Sequence, residues 1–149
     1  MIDRVDFYLL KSPIPQERWL FACRLTEKAY LRSMSVLVSL DTETDAKLLD
    51  DMLWTFGERS FVPHQLCIDS QVPDPATPVH LTLAQGTVEQ DSTQRADLLV
   101  NLSQRLHPRL DQFQRVAEII NPDEEQRRLG RERFKSYRDL KVKMETHDY

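Results

Sequence analysis

Glycine is scarce in this sequence: Gly57, Gly86 and Gly130 are the only three. None follows the first apolar run, Val5 to Leu10, so no glycine-rich phosphate loop can be built there. The residues after that run, Lys11-Ser12-Pro13-Ile14-Pro15, lack the free amides that cradle phosphates, and a dinucleotide fingerprint is absent as well. Cysteine is scarcer still. Cys23 and Cys67 are the only two, and they lie in unlike settings, one in a helical pattern and one in an apolar run after a proline. They read as reduced, buried thiols and exclude a disulfide framework. His64, His80, His107 and His147 are scattered without zinc-ligand spacing, so no metal and no cofactor is expected. No apolar run approaches the roughly 18 residues that cross a bilayer. The charged start, Met1-Ile2-Asp3-Arg4-Val5-Asp6, lacks a secretory pattern, and a cytoplasmic location is expected.

What is present is the composition of a globular chain. Of 149 residues, 40% are apolar and 30% charged, which suits a single domain over 1–149 with a core of its own. The net charge of −4 is unevenly spread. Between Arg127 and Lys143 stand eight basic and two acidic residues, a local +6, and the remainder carries −10. One basic element on an acidic body suits an acidic partner docking at one place, and argues against a nucleic acid wrapped around the whole protein.

Strand and helix patterns alternate along the chain. Val5 to Leu10 reads as a buried strand ended by proline. A helix follows over about 16–33, with Trp19, Leu20, Cys23, Ala29 and Tyr30 as its apolar side. Val36 to Leu40 is a second strand. Capping residues from Asp41 to Thr44 open a helix over about 44–56, whose buried stripe is Leu48, Leu49, Met52 and Leu53. Short strands are expected near 65–68, over 79–83, over 97–102 and near 115–120, with loops over 70–78 and 85–95. Asn121-Pro122-Asp123-Glu124-Glu125 is a strong helix start, and the last helix is expected over about 122–144. The alternation implies a three-layer α/β/α domain with a central, largely parallel sheet.

Candidate catalysts are weak. Asp41, Glu43, Asp45, Asp50, Asp51, Glu124 and Glu125 fall at helix starts or on solvated faces, and no nucleophile elbow or Ser/His/Asp set stands out. Two other constellations suggest binding. On the last helix Arg127, Arg131, Lys135 and Arg138 share one stripe with Phe134 beside it, while Leu129, Tyr137 and Leu140 fall on another side suited to docking. The cationic stripe fits an acidic peptide, whose carboxylates pair bidentately with guanidinium groups, although charged helix faces are common and a solvated face is the readier reading of the spacing alone. Gly130 weakens this helix by about 1 kcal/mol unless a close approach requires it. Around Gly57, Trp54, Phe56 and Phe61 bracket a turn, either as core cover or as an aromatic anchor for a protein partner.

Phe7-Tyr8-Leu9-Leu10, Leu53-Trp54 followed by Ser60-Phe61-Val62-Pro63-His64, and Arg131-Glu132-Arg133-Phe134-Lys135-Ser136-Tyr137-Arg138 together resemble the chi subunit of bacterial DNA polymerase III, in order, spacing and length. The resemblance implies nucleotide-binding-like topology without nucleotide chemistry, and a non-catalytic clamp-loader accessory protein. It implies two partners: the psi subunit, and the acidic, phenylalanine-terminated tail of single-stranded DNA-binding protein (SSB), with DNA engaged only through SSB. Carried over by motif, the tail site falls on Arg127, Arg131, Phe134 and Lys135, and the psi contact on Trp54 and Phe61. The family often has tyrosine where Phe134 stands. The acidic ending, 145–149, receives no role. Two competing readings are direct binding of single-stranded nucleic acid by the basic helix, which the acidic body disfavours, and a hydrolase or nucleotide enzyme of similar fold, which the scarcity of glycine disfavours.

Overall fold

The structure, a computed structural model, describes residues 2–68, 73–84 and 96–149. The loop expected over 85–95 and part of that over 70–78 lie outside these residues. Among the described residues seven strands form one sheet: β1 (Arg4–Leu9), β2 (Val36–Leu40), β3 (His64–Cys67), β4 (Val79–Leu83), β5 (Ala96–Asn101), β6 (Phe113–Ile120) and β7 (Met144–Asp148). Their order is β3-β4-β2-β5-β6-β1-β7, and every neighbouring pair runs parallel.

Helices α1 (Pro15–Leu31), α2 (Glu43–Thr55) and α3 (Glu124–Asp139) complete the fold. The alternation of side chains along the strands divides the core into two layers. Val36, Val38 and Leu40 of β2 point to the layer filled by Ala22, Cys23 and Ala29 of α1 and Leu49 and Leu53 of α2. Leu37 points the other way, into the layer holding Val5, Phe7, Val116 and Tyr137 of α3. The expected three-layer α/β/α arrangement around a parallel sheet is therefore present. Among the described residues, no helix is long and apolar enough to cross a membrane.

Several local expectations give way. On α1 the fully buried positions include Arg18, Ala22, Thr26 and Ala29, while Trp19, Leu20 and Tyr30 are only half-buried. Arg18 is tolerated because its guanidinium donates to the carbonyls of Ile119 at 2.8 Å and Leu102 at 3.2 Å, which replaces the hydration lost on burial. Leu48 of α2 is 44% exposed and leaves the buried stripe. Cys23 and Cys67 are free and buried, and burial pushes their thiols up to about 12 and about 11.

The largest correction concerns the end of the chain. The last helix stops at Asp139, and Lys141 turns the backbone at φ 60°. Residues up to 148 then form β7, pairing with β1 from Val5–Met144 to Leu9–Asp148. Its polar, charged sequence belongs to an edge strand that presents one side to solvent. Chain direction also reverses here: β1 leads through α1 to β2 on one side, and β6 leads through α3 to β7 on the other. The crevice outside the carboxyl ends of β1 and β6 is thus a topological switch point, the usual place for a ligand in such sheets.

Candidate protein-binding sites

Helix α3 is placed with little freedom. Asp123 caps it, its carboxylate accepting the Gln126 N–H at 3.0 Å, and Glu124 and Glu125 occupy the first turn, where the dipole favours acids. Gly130 faces the sheet so closely that an added Cβ would lie 2.5 Å from Ile120 Cδ1. The close approach that justifies this glycine is therefore real. One turn on, Arg133 is nearly buried, and two turns on Tyr137 is fully so. Both reach Glu118 of β6, itself 0% exposed. Arg133 Nε donates to Glu118 Oε1 at 3.0 Å, while Tyr137 Oη and Asn101 Nδ2 donate to Oε2 at 2.7 and 2.9 Å. Arg133 Nη1 also donates to the Gln104 carbonyl at 2.9 Å. Burial, followed by the charge of Glu118, pushes the Tyr137 phenol up, so that it remains a donor.

With α3 held this way, its free cations stand over a cleft of about 380 Å³. Arg127, Arg131 and Phe134 line it from the helix, Phe7 and Lys11 from β1 and its end, and Asp148 from β7. The Phe134 ring packs on Phe7 at 5.3 Å and forms part of the apolar wall. The cations of α3 divide into paired and unpaired. Arg128 is engaged by Glu125 at 2.6 Å and Glu132 at 3.1 Å, and Arg133 by Glu118. Among the described residues no acid pairs with Arg127, Arg131 or Arg138; the first two line the cleft, and Arg138 is exposed outside it. Lys135 is exposed and lies outside the cleft lining, so it reaches a ligand only at the rim. Leu140, expected on the docking side, is 57% exposed because the helix has already ended.

The second constellation also comes together. Thr42 caps α2 by accepting the Asp45 N–H at 3.1 Å, and Asp41 ties the helix start to the loop after β5 through Ser103 Oγ at 2.6 Å and Gln104 N at 3.0 Å. At the far end of α2, Trp54 is 50% and Phe61 63% exposed, with ring centroids 5.7 Å apart. His64 underlies them. Its ring lies 4.4 Å from Trp54, its Nδ1 donates to the Val62 carbonyl at 2.6 Å, and its Nε2 stands 3.0 Å from Asp50. Large aromatics left exposed on a fixed base are unusual for a free surface.

Residues 2–145 match the family described as DNA polymerase III chi subunit, HolC. The chain belongs to this chi family. It is 35% identical to the DNA polymerase III subunit chi of Pseudomonas aeruginosa over 98% of this chain and 96% of that protein. The chi subunits of Haemophilus influenzae and Escherichia coli are each 28% identical, over 93% and 78% of this chain and 92% and 75% of theirs. Among solved structures, a DEAD box protein from the hyperthermophile Methanococcus jannaschii matches 97% of this chain and 42% of its own, with a TM-score of 0.61 at 18% identity, a likeness of fold alone. As a chi subunit the chain is an accessory subunit of the DNA polymerase III holoenzyme and acts in DNA replication.

Three features of this chi-family chain escaped the sequence reading. Glu118 interrupts an otherwise apolar run, and Arg133 stands midway between Leu129 and Tyr137 at four-residue spacing. Both signals were present, since a charge on a buried face demands a partner. Strand β7 carried no apolar signal. It is fastened by Asp6, which is 2% exposed and bound by His147 Nε2 at 2.9 Å, Arg115 at 3.0 Å and Arg4 at 3.2 Å. Burial alone would raise the Asp6 carboxyl, but the bonds from His147 and Arg115 and the charges of Arg4 and Arg115 hold it low. Asp6, Glu145 and His147 bring donor atoms within 4.8 Å. With two guanidinium groups already on Asp6, the set works as an ion-pair cluster that locks the edge strand, and its electrostatics oppose a metal ion.

Proposed function

We propose that this chi-family subunit is a non-catalytic cytoplasmic adaptor with two protein ligands: the psi subunit at Trp54 and Phe61, and the acidic C-terminal tail of SSB at Arg127, Arg131, Phe134 and Lys135. In this reading, DNA is reached only through SSB. The observation that carries it is the pairing pattern on α3: of the three arginines that no acid pairs among the described residues, Arg127, Arg131 and Arg138, the first two line an aromatic-walled cleft. Carboxylates of the tail would replace the missing partners, and Phe134 with Phe7 would receive its terminal ring. Residues 1–149 are proposed to unfold as one domain.

The test is a titration of an acidic peptide ending in phenylalanine against the full chain. Micromolar affinity is expected, falling with added salt because charge pairs carry part of it. Arg131→Ala should weaken it about tenfold, the worth of a hydrogen bond to a charged group. Equal affinity for the two proteins removes Arg131 from the site, and no binding to the wild type sinks the assignment of this surface.

A further inference from the structure

On the opposite face of β1 lies a second cleft, of about 490 Å³. Tyr8, Phe21 and Tyr149 wall it with aromatic rings, Phe21 lying 5.1 Å from Tyr8 and 5.2 Å from Tyr149. Arg24 and Lys28 line it from α1. They stand one helical turn apart, both exposed, and Arg32 continues the row. Among the described residues none of the three is engaged by an acid. The C-terminal dipole of α1 accounts for Lys28 in the last turn, but not for Arg24, because that effect fades beyond the final turn. The two clefts meet at the end of β1: Leu10 lines both, Lys11 lines the α3 cleft, and Ser12 lines the α1 cleft. Lys11 is exposed, and its ammonium has no acid partner among the described residues.

We infer that the acidic ligand of the α3 cleft does not end there but continues across Lys11 onto the α1 face, where Arg24 and Lys28 bind its preceding carboxylates. The inference rests on the α3 cleft taking an acidic peptide. Charge complementarity and the continuity of the two clefts at Leu10 carry the extension. A nucleic-acid strand is the less suitable occupant. The chain carries −4 in all, whereas phosphate binding favours a broad positive surface.

Two labelled peptides test this on the full chain: a short acidic one ending in phenylalanine, and the same peptide extended at its N-terminus by a run of aspartates. The extended peptide should bind wild type more tightly. Arg24→Ala with Lys28→Ala should weaken it about three- to tenfold, the loss expected for two solvent-exposed charge pairs, and leave the short peptide unchanged. Arg131→Ala should weaken both. Equal binding of the two peptides to wild type, or no effect of the α1 double variant, overturns the extension while leaving the α3 cleft standing. Failure of wild type to bind the short peptide overturns the reading beneath it. If the α1 variant loses an oligothymidylate but keeps the extended peptide, the row belongs to nucleic acid and the inference is wrong.

Discussion

Replacing Glu118 by glutamine should be among the most damaging single-atom exchanges available in this protein. Three donors converge on its carboxylate: Arg133 Nε, Tyr137 Oη and Asn101 Nδ2. A carboxylate only accepts, so all three are satisfied. In Glu118→Gln one of those positions becomes an NH2 facing a donor, and Arg133, 4% exposed, is left as a buried charge without its counter-ion. Breaking a buried pair from one side costs about 3–5 kcal/mol, which at this chain length lowers Tm by about 10 °C. Adding Arg133→Met removes the stranded charge, so the double variant should be more stable than the sum of the single effects by at least about 1 kcal/mol. Glu132→Gln is the control. It disrupts a pair with Arg128 that is more than half exposed on each side, and should change stability by less than about 1 kcal/mol. Urea unfolding of the four variants measures all of this. A Glu118→Gln protein within about 1 kcal/mol of wild type, or additive behaviour of the double variant, would refute the view that this cluster fixes α3 to the sheet.

Other outcomes follow from single contacts. Burial and then the nearby charge of Arg109 hold the His107 ring down to about 4, and its neutral Nδ1 accepts the Arg109 N–H at 3.0 Å. Because the folded value lies below the unfolded one, this stability is complete above about pH 6.5 and is lost as pH falls toward 4, amounting to as much as about 3 kcal/mol. A His107→Gln variant should show a flatter stability profile over that window, and an unchanged slope would exclude His107 as its source. Gly130→Ala gains up to about 1 kcal/mol in helix propensity but sets a methyl against Ile120 Cδ1, a strain of about 1–3 kcal/mol. Denaturation should find it less stable than wild type, with part of the loss recovered by Ile120→Val, which lacks that atom. Trp54→Ala should abolish co-purification with psi while leaving Tm and acidic-peptide affinity near wild type, since half of the ring is already in solvent. Loss of peptide binding as well would mean that the substitution damages the fold and does not report a separate interface.

The fold class was legible because strands buried on both faces must be apolar throughout. Val36 to Leu40 and the Leu98-Leu99-Val100 run of the strand expected over 97–102 announce themselves for that reason, as do helices with one apolar side. The cationic stripe on α3 was legible from the four-residue spacing of Arg127, Arg131 and Lys135, of which the first two line the cleft. The sequence by itself also determined what could be excluded, since a chain with three glycines has none where a phosphate loop requires one. Tertiary structure decided the rest. Edge strand β7 has little apolar content because one of its sides faces water, so only its pairing with β1 and the bonds of His147 to Asp6 make it a strand. That Arg133 is committed to the core and is no part of the free stripe depended on Glu118, fifteen residues away in sequence and 3.0 Å away in space. That distinction separates a charged helix from a binding site: charge is a property of the residue, whereas availability depends on what the fold places beside it.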